Sequence, residues 1–128
     1  NQEQAMKTNS ITWFEIYVQD LDRAKKFYEA MLGIELNPIA GPDIPMLGFP
    51  QDADLNGSSG SIIKAEGMPS GGNSTLVYFE CDDCSVEASR VNDAGGELIR
   101  EKMSIGEFGF VAHAKDSEGN MIGLHSPT

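Results

Sequence analysis

In residues 11–18, ITWFEIYV, Phe14, Ile16 and Val18 form one wholly apolar face, while Trp13, Glu15 and Tyr17 share the other. Side chains along a strand point alternately to opposite faces, so this pattern predicts a half-buried strand. The period then changes. Leu21, Ala24, Phe27, Tyr28, Met31 and Leu32 recur at helical spacing, with Asp22, Arg23, Lys25, Lys26 and Glu29 between them. That spacing predicts an amphipathic helix over 21–32 whose apolar stripe packs on the Phe14 face. Asp20 is a good N-cap for it and Gly33 a good stop. Further strands are predicted at 34–39, 46–49 and 61–65, separated by the turn-rich AGPDIP and the polar QDADLNGSSG.

The same order then returns. Residues 75–81 read as a strand with Leu76, Tyr78 and Glu80 on one face and Val77, Phe79 and Cys81 on the other. Asp83 opens a helical stretch over 84–95, and Gly96 closes it. Strands follow at 97–102, 108–115 and 121–125, the last preceded by DSEGN, a strong hairpin-turn signal. Asp20 and Asp83, and Gly33 and Gly96, are separated by the same 63 positions. Self-similarity at a fixed period reports a repeated supersecondary unit. The expected fold is therefore α+β, with two βαβββ modules in a single domain over 10–126. Module one takes 10–66, a Gly-, Ser- and Pro-rich linker 67–74, and module two 75–126. Residues 1–9, polar and without periodicity, are expected to be disordered.

Composition narrows the function classes. A chain of 128 residues at 40% hydrophobic is long enough for one real core. With 9 basic against 20 acidic residues its net charge is −11, which repels phosphate backbones and anionic lipid surfaces. No nucleic acid or membrane partner is expected. There is no apolar run near the ~20 residues that span a bilayer, and the segment NQEQAMKTNS has no apolar signal core. A soluble cytoplasmic protein is the expectation. The lone C-D-D-C of Cys81 and Cys84 lacks the positive surroundings of a redox pair and the second pair of a zinc site, so it is read as two half-buried thiols beside a helix cap.

The segments WFEIYVQDLDRAKKFYEAMLGIEL, LVYFECDD, NDAGGEL and KDSEGNMIGLHS, in this order, resemble the vicinal oxygen chelate superfamily. That superfamily includes glyoxalase I, extradiol dioxygenases, fosfomycin-resistance enzymes and bleomycin-resistance proteins. The resemblance covers nearly the whole chain. It implies paired βαβββ modules forming an eight-stranded sheet curled around a cleft, with the helices outside. It also implies metal ligands early in the opening strand and on the last strand of each half. The opening-strand positions fall on Trp13 and Leu76, and the last-strand position on Gly123. The counterpart of Gly123 in the first half lies within GSIIKA. None of these offers a carboxylate or an imidazole, and metal chemistry needs such ligands. Neither metal nor cofactor is expected.

The ligand-cleft candidates are Trp13, Glu15, Tyr17, Tyr78, Glu80, Met121 and His125. The aromatic residues and Met121 suit stacking on a planar ligand, Glu15 and Glu80 could hold a cation or act as bases, and His125 could be a base or a ligand anchor. His113, between Ala112 and Ala114, is read as a packing residue. The leading expectation is a bleomycin-resistance-like protein that binds a small molecule in a metal-free cleft, as a homodimer. The alternative is a lyase, isomerase or dioxygenase with a displaced metal site on Glu15, Glu80 and His125, and a third reading is a non-catalytic regulatory domain.

Overall fold

The computed structural model describes residues 9–39 and 44–128. The disorder expected of 1–9 falls, except for Asn9, outside the described residues, as does most of the turn AGPDIP. Strand β1 (Phe14–Tyr17) leads into helix α1 (Leu21–Leu32), and short strands β2 (Asn37–Pro38), β3 (Met46–Gly48) and β4 (Gly60–Ile63) follow. The second half runs β5 (Val77–Glu80), α2 (Cys84–Arg90), β6 (Glu97–Ser104), β7 (Phe110–Lys115) and β8 (Met121–Ser126). A 3-10 turn at Gly106–Phe108 precedes β7. Each half builds one four-stranded sheet, in the orders β1-β4-β3-β2 and β5-β8-β7-β6. In each, the opening strand pairs parallel with the last, Phe14 with Gly60 and Val77 with Ile122.

The two helices begin alike. Asp20 and Asp83 are both extended at the N-cap, their carboxylates accepting from Arg23 N–H and Ser85 N–H, which satisfies donors that the first turn leaves free. They end differently. Gly33 takes φ 69° and its N–H reaches Glu29 O, a left-handed stop that glycine adopts without strain. The second helix stops at Arg90 rather than reaching residue 95. Val91 N–H already bonds Ala88 O, Leu98 N–H goes to the Asn92 side chain, and Gly96 N–H turns back to Val91 O. Asn and Asp in helices compete for backbone bonds in this way. A Cβ at Gly96 would lie 2.5 Å from the Phe27 ring, so the chain must leave the helix to pass that ring closely.

The strand expected at 34–39 is likewise reduced to Asn37–Pro38. Leu36 N–H is taken by the Glu29 carboxylate at 2.9 Å, which holds the chain off the ladder, and proline has no N–H to give one.

The core lies between the helices and the backs of both sheets. Phe27, Tyr28 and Met31 of α1 are fully buried, with Ile16, Val18 and Ile62 from the first sheet and Ala112, Ala114, Ile122 and Leu124 from the second. At the seam, Phe14, Tyr28 and Phe49 of the first half meet Phe79 of the second at ring distances of 5.4 to 5.9 Å. A polar clasp flanks these rings. The buried Glu118 carboxylate accepts from Gln19 N–H, Asp20 N–H and the Arg23 guanidinium. Tyr28 O–H donates to Asp116 at 2.6 Å, and the Asn120 amide donates to Tyr17 O. The DSEGN hairpin of one half therefore docks onto the start of the helix of the other.

Candidate functional site

Register fixes what each sheet presents on the side away from the helices, because cross-strand partners share a face. In the second sheet one row runs Tyr78, Gly123, His113, Arg100, and the next runs Glu80, His125, Val111, Met103. In the first sheet the matching rows are Glu15, Ser61, Gly48 and Tyr17, Ile63, Met46. Ser61 is thus the first-half counterpart of Gly123, a position that the sequence places only within GSIIKA.

The two floors are built differently. Ser61 is fully buried and its hydroxyl has no hydrogen-bond partner among the described residues. A Cβ on Gly48 would lie 3.2 Å from the Ile39 side chain, so an aliphatic residue covers that floor. In the second sheet a Cβ on Gly123 would stand 2.4 Å from the Tyr78 ring. Tyr78 lies over the glycine, 46% exposed, and its hydroxyl meets His113 Nε2 at 2.8 Å.

A crevice of about 510 Å³ runs between the two sheets, lined by Glu15, Tyr17, Met121 and the linker residues Pro69, Gly71 and Ser74, among others. It brings together three of the seven predicted cleft residues. Tyr78, Glu80 and His125 lie on the face of the second sheet, outside that wall. Trp13 precedes β1, is 38% exposed and lines neither this crevice nor the cavity of about 690 Å³ under the 50–59 loop. The single aromatic-lined cleft expected of Trp13, Tyr17, Tyr78 and Met121 is therefore divided, because each sheet aims its own side chains over its own floor.

His125 is engaged on both sides. Nδ1 meets Glu80 Oε1 at 2.6 Å and Nε2 meets Phe108 O at 2.6 Å. Both partners accept, so the contacts favour the imidazolium, in which both nitrogens donate. The Phe108 carbonyl and then the Glu80 carboxylate raise its pKa. Neither nitrogen is free to coordinate a metal.

The residues do not fit the metal of the resemblance. Trp13, Ser61, Leu76 and Gly123 stand at the four positions that the resemblance implies, and the space a carboxylate at 123 would need is filled by Tyr78. The displaced set of Glu15, Glu80 and His125 is not assembled: among the described residues no three His, Cys, Asp or Glu side chains form a metal-binding group. Nor is the cysteine pair reactive. Both thiols are buried, more deeply than the half-burial expected, and burial followed by the neighbouring Glu87 pushes Cys81 up to about 12, leaving it a thiol at neutral pH.

His113, read from the sequence as a packing residue, pairs with Tyr78. Ala112 and Ala114 are buried against the helix side, and His113 faces away from it toward Tyr78. The alternation in FVAHAK carries that signal, since the two alanines mark the packed face and leave His113 on the other. Arg100 could not have been found this way. Register shifts flank it on both sides, and a bulge re-aims a side chain in a manner alternation does not encode.

A family model for bleomycin resistance protein-like N-terminal regions matches residues 10–48. A glyoxylase-like domain-containing protein of Didymella fabae is 30% identical over 117 residues, spanning 86% of this chain and 88% of that one. CFP32 of Mycobacterium tuberculosis, which carries a glyoxylase name, is 29% identical over 124 residues, covering 94% of this chain. The chain spans only 45% of the length of CFP32. Among solved structures, TnmS3, an antibiotic binding protein from Streptomyces sp. CB03234, superposes with a TM-score of 0.67 at 26% identity, covering 97% of this chain and 100% of that one.

Proposed function

Since the chain belongs to the glyoxalase and bleomycin-resistance family of the vicinal oxygen chelate superfamily, we propose that it binds a small planar molecule without a metal, in the crevice between its two sheets. The observation that carries this reading is what fills the last-strand positions to which the resemblance assigns metal ligands. A tyrosine ring fills the space of the second-half carboxylate and a buried serine holds the first-half position. The antibiotic binding described for TnmS3 supports a sequestering role. Glu15 and Tyr17 in the crevice wall supply a carboxylate and an aromatic face, and a charge of −11 favours cationic ligands.

The test is a fluorescence and calorimetric titration with 9-aminoacridine, a planar cation, before and after exhaustive chelation. Saturable binding unaffected by chelation is expected, together with an unchanged melting temperature. Stoichiometric metal in the purified protein, lost on chelation along with ligand binding, would overturn the reading.

The protein acts as a homodimer in this proposal. Ile11, Leu55 and Phe108 are 66 to 71% exposed, apolar surface that a two-fold partner would cover. Light scattering should return twice 13.8 kDa; the monomer mass over a wide concentration range counts against the pairing.

A further inference from the structure

We infer that the Tyr78–His113 pair, with Arg100 beside it, is a recognition site for a phenolic or enolic oxygen on the planar ligand. The inference deepens the cleft reading and rests on it: the pair lies just outside the crevice wall, which reaches Val77 and Ile122, the neighbours of Tyr78 and Gly123 along β5 and β8. Three observations place the site. Tyr78, Gly123, His113 and Arg100 form one row across the second sheet. Gly123 contributes no side chain, and the Tyr78 ring lies in the space so vacated, its Cδ1 and Cε1 2.4 Å from where a Cβ would be. The phenol is half in solvent and its one hydrogen bond among the described residues is to His113 Nε2 at 2.8 Å, the rings tilted at 62°.

The chemistry follows from counting donors and acceptors. A phenol has one proton and two lone pairs, and a neutral imidazole has one N–H and one bare nitrogen. When Nε2 is bare, Tyr78 donates to it and turns its lone pairs outward. When Nε2 carries the proton, it donates to Tyr78, whose own proton is then free for a ligand oxygen. A ligand hydroxyl, which both donates and accepts, is served by either arrangement, and a plain aromatic edge is served by neither. Arg100 selects further. It is the cross-strand partner of His113 at the irregularity in β6, where one guanidinium nitrogen donates to Met103 Sδ at 3.4 Å, and its remaining N–H groups favour an acceptor oxygen on the ligand. The first sheet offers no such group at the matching positions, which are Glu15, Ser61 and Gly48.

The experiment uses a matched pair of probes, phenazine and 2-hydroxyphenazine, titrated against the full chain and its Tyr78→Phe and His113→Leu variants. Tyr78→Phe keeps the ring over Gly123 and removes only the hydroxyl, so the fold is retained. The intact protein should bind 2-hydroxyphenazine about ten-fold more tightly than phenazine, which is about 1.4 kcal/mol. Both variants should lose most of that preference, the loss falling on 2-hydroxyphenazine. Equal affinity of the intact protein for the two probes, or a preference that survives Tyr78→Phe, would overturn the inference and leave the cleft reading standing. Failure of the intact protein to bind either probe or 9-aminoacridine would overturn both.

Discussion

The two sheets repeat one pattern and differ at matching positions. Where the first sheet sets Glu15 beside Ser61 and Tyr17 beside Ile63, the second sets Tyr78 beside Gly123 and Glu80 beside His125. The first has a buried floor, with Ser61 fully covered and Ile63 nearly so; the second has a polar floor on which Tyr78 bonds His113 and His125 bonds Glu80. Equivalent backbone positions thus serve opposite ends. A fold that repeats its geometry can close one face for stability and leave the other for chemistry, since register sets only which residues are neighbours and side-chain size decides whether the floor is dry.

Restoring the lost carboxylates tests that asymmetry most severely. Ser61→Glu places an unpaired charge on a sealed floor and should destabilise by about 3 to 5 kcal/mol. Gly123→Glu displaces a half-exposed ring instead and should cost about 1 to 3 kcal/mol. Urea denaturation measures both, and the reverse order would break the comparison.

The clasp joining the halves comes next. Although burial alone would raise the pKa of Glu118, hydrogen bonds from Arg23, Gln19, Ser117 and Asp20 hold it at about 2. A carboxylate depressed by folding stabilises above its unfolded pKa and loses that contribution as pH falls through the folded value. Glu118→Gln should therefore cost about 2 to 3 kcal/mol at pH 7 and flatten the acid limb of the stability curve between about pH 4.5 and 2. An unaltered acid limb would show that Glu118 adds nothing to the hold between the halves.

His125 gives the smaller effect, peculiar to the second sheet because Ile63 stands at the matching place. Its pKa is raised on folding, so its contribution is complete below the ordinary imidazole value of about 6.5 and is lost as pH rises through the folded value. Melting temperature should fall over that rise, and His125→Gln should abolish the dependence. Hydrogen exchange in the 3-10 turn that carries Phe108 should quicken over the same range; a pH-independent rate would mean the turn is held without the imidazolium.

Much of this was legible from local pattern. The helix at 21–32 with its Asp20 cap and Gly33 stop and the repeat of Asp20 at Asp83 stand in the structure as the sequence reads, and the strand expected over 11–18 is there shortened to Phe14–Tyr17, because each depends on residues within one turn or one strand. The same holds for the absence of metal ligands at Trp13, Leu76 and Gly123, which needs only residue identity.

What the sequence left open was decided by contacts across long separations. Tyr28 meets Asp116 and Glu118 meets Arg23 through the docking of one half on the other. The shortened second helix answers to Phe27, which Gly96 must pass closely, and the brevity of β2 to Glu29 reaching Leu36 N–H. The pairing of Tyr78 with His113 over Gly123 requires three strands brought into register. Periodicity reports which face a residue occupies; only the folded sheet decides who sits beside it, and hydrogen bonds of 2.6 to 2.8 Å such as these depend on that neighbour alone.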